Sequence, residues 1–87
     1  MKVVIPTPLR SYAQGQREVE AEGATLAELF ANLDRRYPGV RFRVINEQDE
    51  IREHIKCFVN QMMADNLTTP LKPDDTVRII MAISGGG

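Results

Sequence analysis

One stretch of this 87-residue chain carries the period of a helix long enough to lie across a sheet, and it limits the fold to one helix-covered face. Thr25 stands three residues before Glu28, the spacing at which a hydroxyl and a carboxylate satisfy the free backbone N–H groups of a helix start. Leu26, Leu29, Phe30, Leu33 and Tyr37 then form one apolar stripe, Glu28, Asn32, Arg35 and Arg36 fall elsewhere, and Pro38-Gly39 ends the run. The remaining periodic segments read as strands. Val3, Val4 and Ile5 are β-branched and stop at Pro6-Thr7-Pro8, which predicts a first strand with an irregular exit. Gln16 to Ala21, bounded by Gly15 and Gly23, puts Val19 and Ala21 on one side and Glu18 and Glu20 on the other, a second strand hairpinned to the first. Ile55 to Asn60 and Thr76 to Ile83 are strand-like, and Asp65 to Asp75 between them has the Asn, Thr, Pro and Asp of turns. Met62-Met63 reads as hairpin packing. In Val40 to Glu53, Val40, Phe42 and Val44 alternate with Arg41 and Arg43 like a strand, yet Asn46 to Glu50 has no period; the segment reads as a short irregular connection with an acidic turn.

One helix over one sheet is an α+β roll, with a mixed sheet of four to five strands packed on the main helix. Such a layout lets the first and last strands lie parallel in the middle of the sheet, the β-grasp (ubiquitin-like) arrangement. The length allows one core only, read as a domain over residues 1–84 and a flexible glycine tail at 85–87. Eleven Lys and Arg against 12 Asp and Glu leave a net charge of −1, so nothing draws the whole chain to nucleic acid or to anionic lipid. One cysteine and one histidine form no internal disulfide and fall short of a zinc ligand set, so no metal is expected and a reducing compartment is. No apolar run nears the roughly 20 residues of a membrane helix, and Pro6 interrupts any leader-like start, so a cytoplasmic protein is expected.

The chemistry is expected at Ser84-Gly85-Gly86-Gly87, which follows directly on the last strand. Glycines have no Cβ to clash in a narrow cleft, so this segment can thread extended into a partner's active site and present the terminal carboxylate there. Ordering it costs about 1–2 kcal/mol per residue, which contacts on a separate docking surface must offset.

The segment from Pro73-Asp74-Asp75 through Thr76–Ile83 to the terminal glycines resembles the acidic turn, final strand and diglycine of the MoaD/ThiS family of ubiquitin-like sulfur carrier proteins. Phe58-Val59-Asn60-Gln61 resembles the Val-Asn strand end before that family's last loop, and Thr25-Leu26-Ala27-Glu28-Leu29 the start of its helix. The resemblance implies that a ubiquitin-activating-type adenylyltransferase uses ATP to adenylate the C-terminal carboxylate. A sulfurtransferase or other sulfur donor then converts it to a thiocarboxylate, which passes sulfur to an acceptor biosynthetic enzyme. The carrier would bind no cofactor of its own, and Gly87 would carry the sulfur, or Gly86 after trimming, since three glycines stand where two are usual. Met81-Ala82 stands where the family commonly has prolines. The implied destinations are cysteine, methionine or a sulfur-containing metabolite, thiamine thiazole, or molybdopterin as the synthase small subunit. The arginine-rich stretch after Tyr37-Pro38-Gly39 resembles the carriers of amino-acid or metabolite sulfur. A ubiquitin-like modifier forming isopeptide links and a plain β-grasp binding module are the alternatives.

Alternation on the two C-terminal strands predicts the docking surface. With Lys56 and Arg78 facing water, Phe58 and Ile80 share their side, while Ile55, Cys57, Val59, Val77 and Ile79 face the helix. An aromatic anchor beside an arginine suits an interface hot spot, unless Val40 to Glu53 folds over Phe58. Met81, Gly85 and Gly86 complete the expected partner-binding set. Cys57 reads as a buried inert thiol and His54 as a surface histidine without a nucleophile placed beside it. Glu47, Asp49, Glu50 and Glu53 lack calcium-loop spacing, and Arg35, Arg36, Arg41 and Arg43 read as solvated charge rather than a phosphate site.

Overall fold

The computed structural model describes residues 1–82. In chain order it has β1 (Lys2–Val4), a 3-10 segment (Thr7–Ala13), β2 (Glu18–Glu20), α1 (Leu26–Arg36), α2 (Val40–Val44), β3 (Ile55–Val59), β4 (Met62–Ala64) and β5 (Thr76–Met81). The strands form one sheet in the order β2-β1-β5-β3-β4. β1 and β5 pair in parallel, with Val3 beside Val77, and the other neighbours are antiparallel. A parallel pair needs a long crossover, and the chain between β1 and β5 supplies it with the helices. The expected β-grasp roll is the observed fold.

The core forms where α1 lies on the sheet. All five stripe residues, Leu26, Leu29, Phe30, Leu33 and Tyr37, are buried, against Val3, Val19, Ile55, Cys57, Val77 and Ile79. Burying side chains of this size contributes roughly 1.5–3 kcal/mol each before entropy is counted. Thr25 Oγ1 accepts a hydrogen bond from Glu28 N at 3.3 Å, and Glu28 Oε1 accepts one from Ala24 N at 3.2 Å. The cap is thus the expected one, with the carboxylate reaching one residue further back than a strict capping box.

Three segments differ from the sequence expectation. Residues 40–44 are helical, with Val40 and Val44 buried four residues apart on one side and Phe42 54% exposed on the other. The cause is Asp34 in α1, whose Oδ1 accepts from Gly39 N at 3.0 Å and Arg41 N at 3.3 Å and so caps the new helix from outside it. Gly39 makes the bend between the helices at φ 99°, open to glycine at no steric cost. The acidic turn follows as expected: Asn46 Oδ1 accepts from Gln48 N and Glu50 N, and Ile45 bridges Ile51 across it.

The proline exit of β1 is a 3-10 segment that buries Leu9 and Ala13, so β1 and β2 pair across this insertion and not across a tight hairpin. Met62-Met63 belongs to β4, a strand absent from the sequence reading, entered through Asn60 at φ 57°. Met62 is 74% and Met63 50% exposed, so neither is packing in a hairpin interior; Ala64 is the residue β4 buries. β5 is assigned to Met81, and Ile83, where the expected strand ends, lies outside the described residues.

Candidate functional site: the outer sheet face and the end of the last strand

The pairing registers align one row of side chains across all five strands on the face away from α1: Met63 beside Phe58, Phe58 beside Arg78, Arg78 beside Val4, and Val4 beside Glu18. One pair further along β3 and β5, Lys56 faces Ile80. Lys56, Phe58, Arg78 and Ile80 therefore share the outer face, as alternation predicts. Phe58 is half-buried, Ile80 is 42% exposed, and the two stand at diagonal positions of the register, with Lys56 and Arg78 at the other corners. Met63 extends the apolar patch onto β4 and was not among the expected site residues, because β4 itself was not legible.

α2 packs against α1 and the 3-10 segment, on the core side of the sheet. Val40, Val44 and Ile45 are buried there, so this segment does not fold over Phe58. Met81 lies apart from the patch. It continues the inward phase of Val77 and Ile79 and packs at the edge of the core. Gly85, Gly86 and Gly87 lie outside the described residues.

Beside Met81 opens a second feature that the sequence reading missed, a cleft of about 590 Å³ lined by the 3-10 segment, α2, Arg52 and His54. Arg43 Nε donates to Tyr12 Oη at 2.6 Å, with its guanidinium 5.2 Å from the Tyr12 ring centre. Arg52 Nε donates to Phe42 O at 2.8 Å, and its guanidinium lies 4.6 Å from the Phe42 ring centre. Ala82 N donates to His54 O at 2.8 Å, so the chain leaves β5 at this cleft. The only signal in the sequence was the run of arginines, and its members diverge. Arg36 turns to Glu20 O and the Tyr37 ring, Arg41 pairs with Asp49 at 3.0 Å, and Arg43 alone enters the cleft.

Cys57 is fully buried, and desolvation pushes its thiol from the ordinary 9.0 up to about 12, which keeps it protonated and unreactive at neutral pH. Among the described residues no three His, Cys, Asp or Glu gather into a possible metal site, and no helix is long and apolar enough to cross a membrane.

The sequence model of the ThiS family matches residues 3–86. Sulfur carrier protein CysO of Mycobacterium tuberculosis is 32% identical over 89 aligned positions, covering 97% of this chain and 96% of that protein. The CysO in the crystal structure of the Amycolatopsis orientalis BexX/CysO complex is 33% identical, covers 98% of each chain and superimposes with a TM-score of 0.91. The small archaeal modifier protein 1 of Methanosarcina acetivorans, 26% identical with 98% of this chain covered, gives 0.80. With a matching profile over nearly the whole chain, relatives about a third identical over almost their full length and a shared β-grasp, the chain belongs to the ThiS family and is a MoaD/ThiS-type sulfur carrier.

Proposed function

We propose that this carrier holds its sulfur as a thiocarboxylate on Gly87 and delivers it into the biosynthesis of cysteine, methionine or a sulfur-containing metabolite. The observation that carries the reading is the family match running through Gly86, together with a β5 that directs the chain past Ala82 toward that segment. A carboxylate is a poor electrophile until its oxygen becomes part of a good leaving group. ATP, bound by an adenylyltransferase partner and not by the carrier, would convert the carboxylate to an acyl-adenylate with release of pyrophosphate. Sulfide-level sulfur from a donor enzyme then displaces AMP at the acyl carbon. The thiocarboxylate sulfur is the nucleophile toward the acceptor enzyme's substrate. The carrier is a co-substrate in this scheme: it contributes the reacting carboxyl and the Phe58, Ile80, Arg78 and Lys56 surface, with Gly85, Gly86 and Met81 at the approach.

The likeness to two CysO proteins supports amino-acid or metabolite sulfur over the role of a molybdopterin synthase small subunit. That the Amycolatopsis protein forms a complex with BexX supports a stable partner docked on this fold. The cytoplasm is the compartment in which ATP and a reduced sulfur donor meet it.

The test is the intact mass of the protein from its own host, with its C-terminal peptide compared before and after alkylation. An oxygen-to-sulfur increase that alkylation consumes, located on Gly87, is expected. An unmodified end that also resists adenylation by the host's enzyme would overturn the reading. The likeness to an archaeal modifier protein favours one second reading, transfer of the same activated glycine to lysines, and isopeptide-linked adducts in the same extracts would identify it.

A further inference from the structure

We propose that the cleft between the 3-10 segment and α2 receives a carboxylate-bearing segment of the enzyme that activates the C-terminus; this rests on the function proposed above. Arg43 and Arg52 are both held in place by neutral groups, each through Nε to one oxygen and through its plane against one ring. The described residues give neither guanidinium a carboxylate partner: their ion pairs engage the N-terminus, Lys2 and Arg41 instead. Among the described residues the terminal nitrogens of these two oriented guanidinium forks have no protein partner, and such forks match a carboxylate in two parallel hydrogen bonds. Because the stems are already ordered, less side-chain entropy is lost when a partner binds.

Among the described residues no aspartate or glutamate lines this cleft. Arg10, Arg17 and Arg78 line another cleft together with Glu18, whose carboxylate pairs with Lys2 at 3.6 Å. Phe42, 54% exposed beneath Arg52, adds an aromatic surface of the kind that anchors interfaces. Met81 lines the cleft and Ala82 is bonded to His54 at its edge, so an enzyme that draws in the glycines beyond β5 must pass its mouth. The Phe58 patch lies on the outer sheet face, and a partner gripping both sites would fix the angle at which the tail enters.

The experiment is ATP–pyrophosphate exchange by the host's adenylyltransferase, with the full-length carrier as varied substrate at low and high salt. For Arg43→Ala/Arg52→Ala the KM for the carrier should rise about tenfold with kcat within about twofold of wild type, and its salt dependence should flatten. Arg43→Lys/Arg52→Lys, which keeps the charge without the fork, should fall between the two. Circular dichroism checks the fold, and Arg43→Gln/Arg52→Gln, which retains the stems, is read if the alanine pair unfolds. A folded variant with unchanged KM overturns this inference alone. So does AMP shifting the Arg52 and His54 amide resonances of the isolated carrier, which would make the cleft a nucleotide site. No exchange with the wild-type carrier overturns the proposed function, and this inference with it.

Discussion

Asn60 donates from Nδ2 to Oδ1 of Asp75 at 2.9 Å, and this bond ties the end of β3 to the turn that launches β5. Asn60 Oδ1 accepts from Thr76 N at 3.0 Å, and Asp75 Oδ2 accepts from Lys72 N at 2.8 Å. Asn60 sits at φ 57°, a left-handed conformation that asparagine adopts more readily than most residues. Phe58–Gln61 and Pro73–Thr76, two of the stretches that resemble the family, are thus one hydrogen-bonded unit. It fixes the register that sets Phe58 beside Arg78 and aims β5 at its exit.

The backbone bond from Lys72, and then the amide of Asn60, hold the Asp75 carboxyl below the ordinary carboxylate range. A depressed folded pKa contributes stability that is present above the unfolded value and lost as pH falls through the folded one. Asp75→Asn should therefore melt lower than wild type at neutral pH and converge with it in acid. The effect should be small, because the carboxylate is solvated. Thermal melts across the acid range decide it, and parallel curves for the two proteins would refute the assignment.

Gly23 has an energetic role that its ordinary φ conceals. A Cβ there would stand 2.5 Å from Leu29 N and 2.8 Å from Leu29 Cα, both in the helix backbone, which cannot rotate away. Gly23→Ala should destabilise the domain by about 1–3 kcal/mol, as overpacking against a fixed wall does. Gly15, which meets nothing within 4 Å but has φ 78°, provides the contrast. Its alanine variant should lose about 1–2 kcal/mol from backbone strain alone. Urea unfolding of both measures the two costs separately.

α1 was legible down to its cap because every residue that defines it lies within the helix or one turn of it. The outer face was legible for a similar reason: alternation along a strand is a local property, and Lys56, Phe58, Arg78 and Ile80 obey it. What failed depends on distant partners. α2 is capped by Asp34 from the preceding helix, and three β-branched or aromatic residues alternating with arginines gave the opposite signal. β4 spans three residues with two of them exposed, too short and too weakly buried to leave a period. The arginine cleft joins a 3-10 segment to a helix some 30 positions along the chain, so no local pattern announces it.

Cys57 should behave as packing and not as chemistry. With its thiol pushed up to about 12 by burial, the folded protein should resist iodoacetamide at mildly alkaline pH and react promptly in denaturant. The sign for stability is opposite to that of Asp75. The unfolded chain releases this proton near the ordinary 9.0 while the fold retains it to about 12, so stability falls as pH rises through that interval. Rapid alkylation of the native protein, or a persulfide on Cys57 in protein from its host, would place sulfur chemistry here instead of at the tail.

Phe58 and Ile80 separate binding from folding. Both face outward, Phe58 half-buried and Ile80 42% exposed, so truncating either removes more contact from a partner than from the core. Phe58→Ala should raise the carrier's KM for adenylation by about tenfold, the scale of an interface anchor, and lower stability by no more than about 1–2 kcal/mol. Ile80→Ala should do less of both, since it loses fewer atoms. Changing Lys56 or Arg78 to alanine should act chiefly through association rate and salt dependence, as charges at a patch rim do. The decisive comparison is Phe58→Ala against Phe30→Ala. Phe30 is fully buried under the helix, and its truncation should cost about 3–5 kcal/mol of stability. If adenylation tracks stability across both variants, the outer face has no role beyond the fold. If Phe58→Ala loses activation while its melting curve stays near wild type, the outer face is the surface an activating enzyme reads.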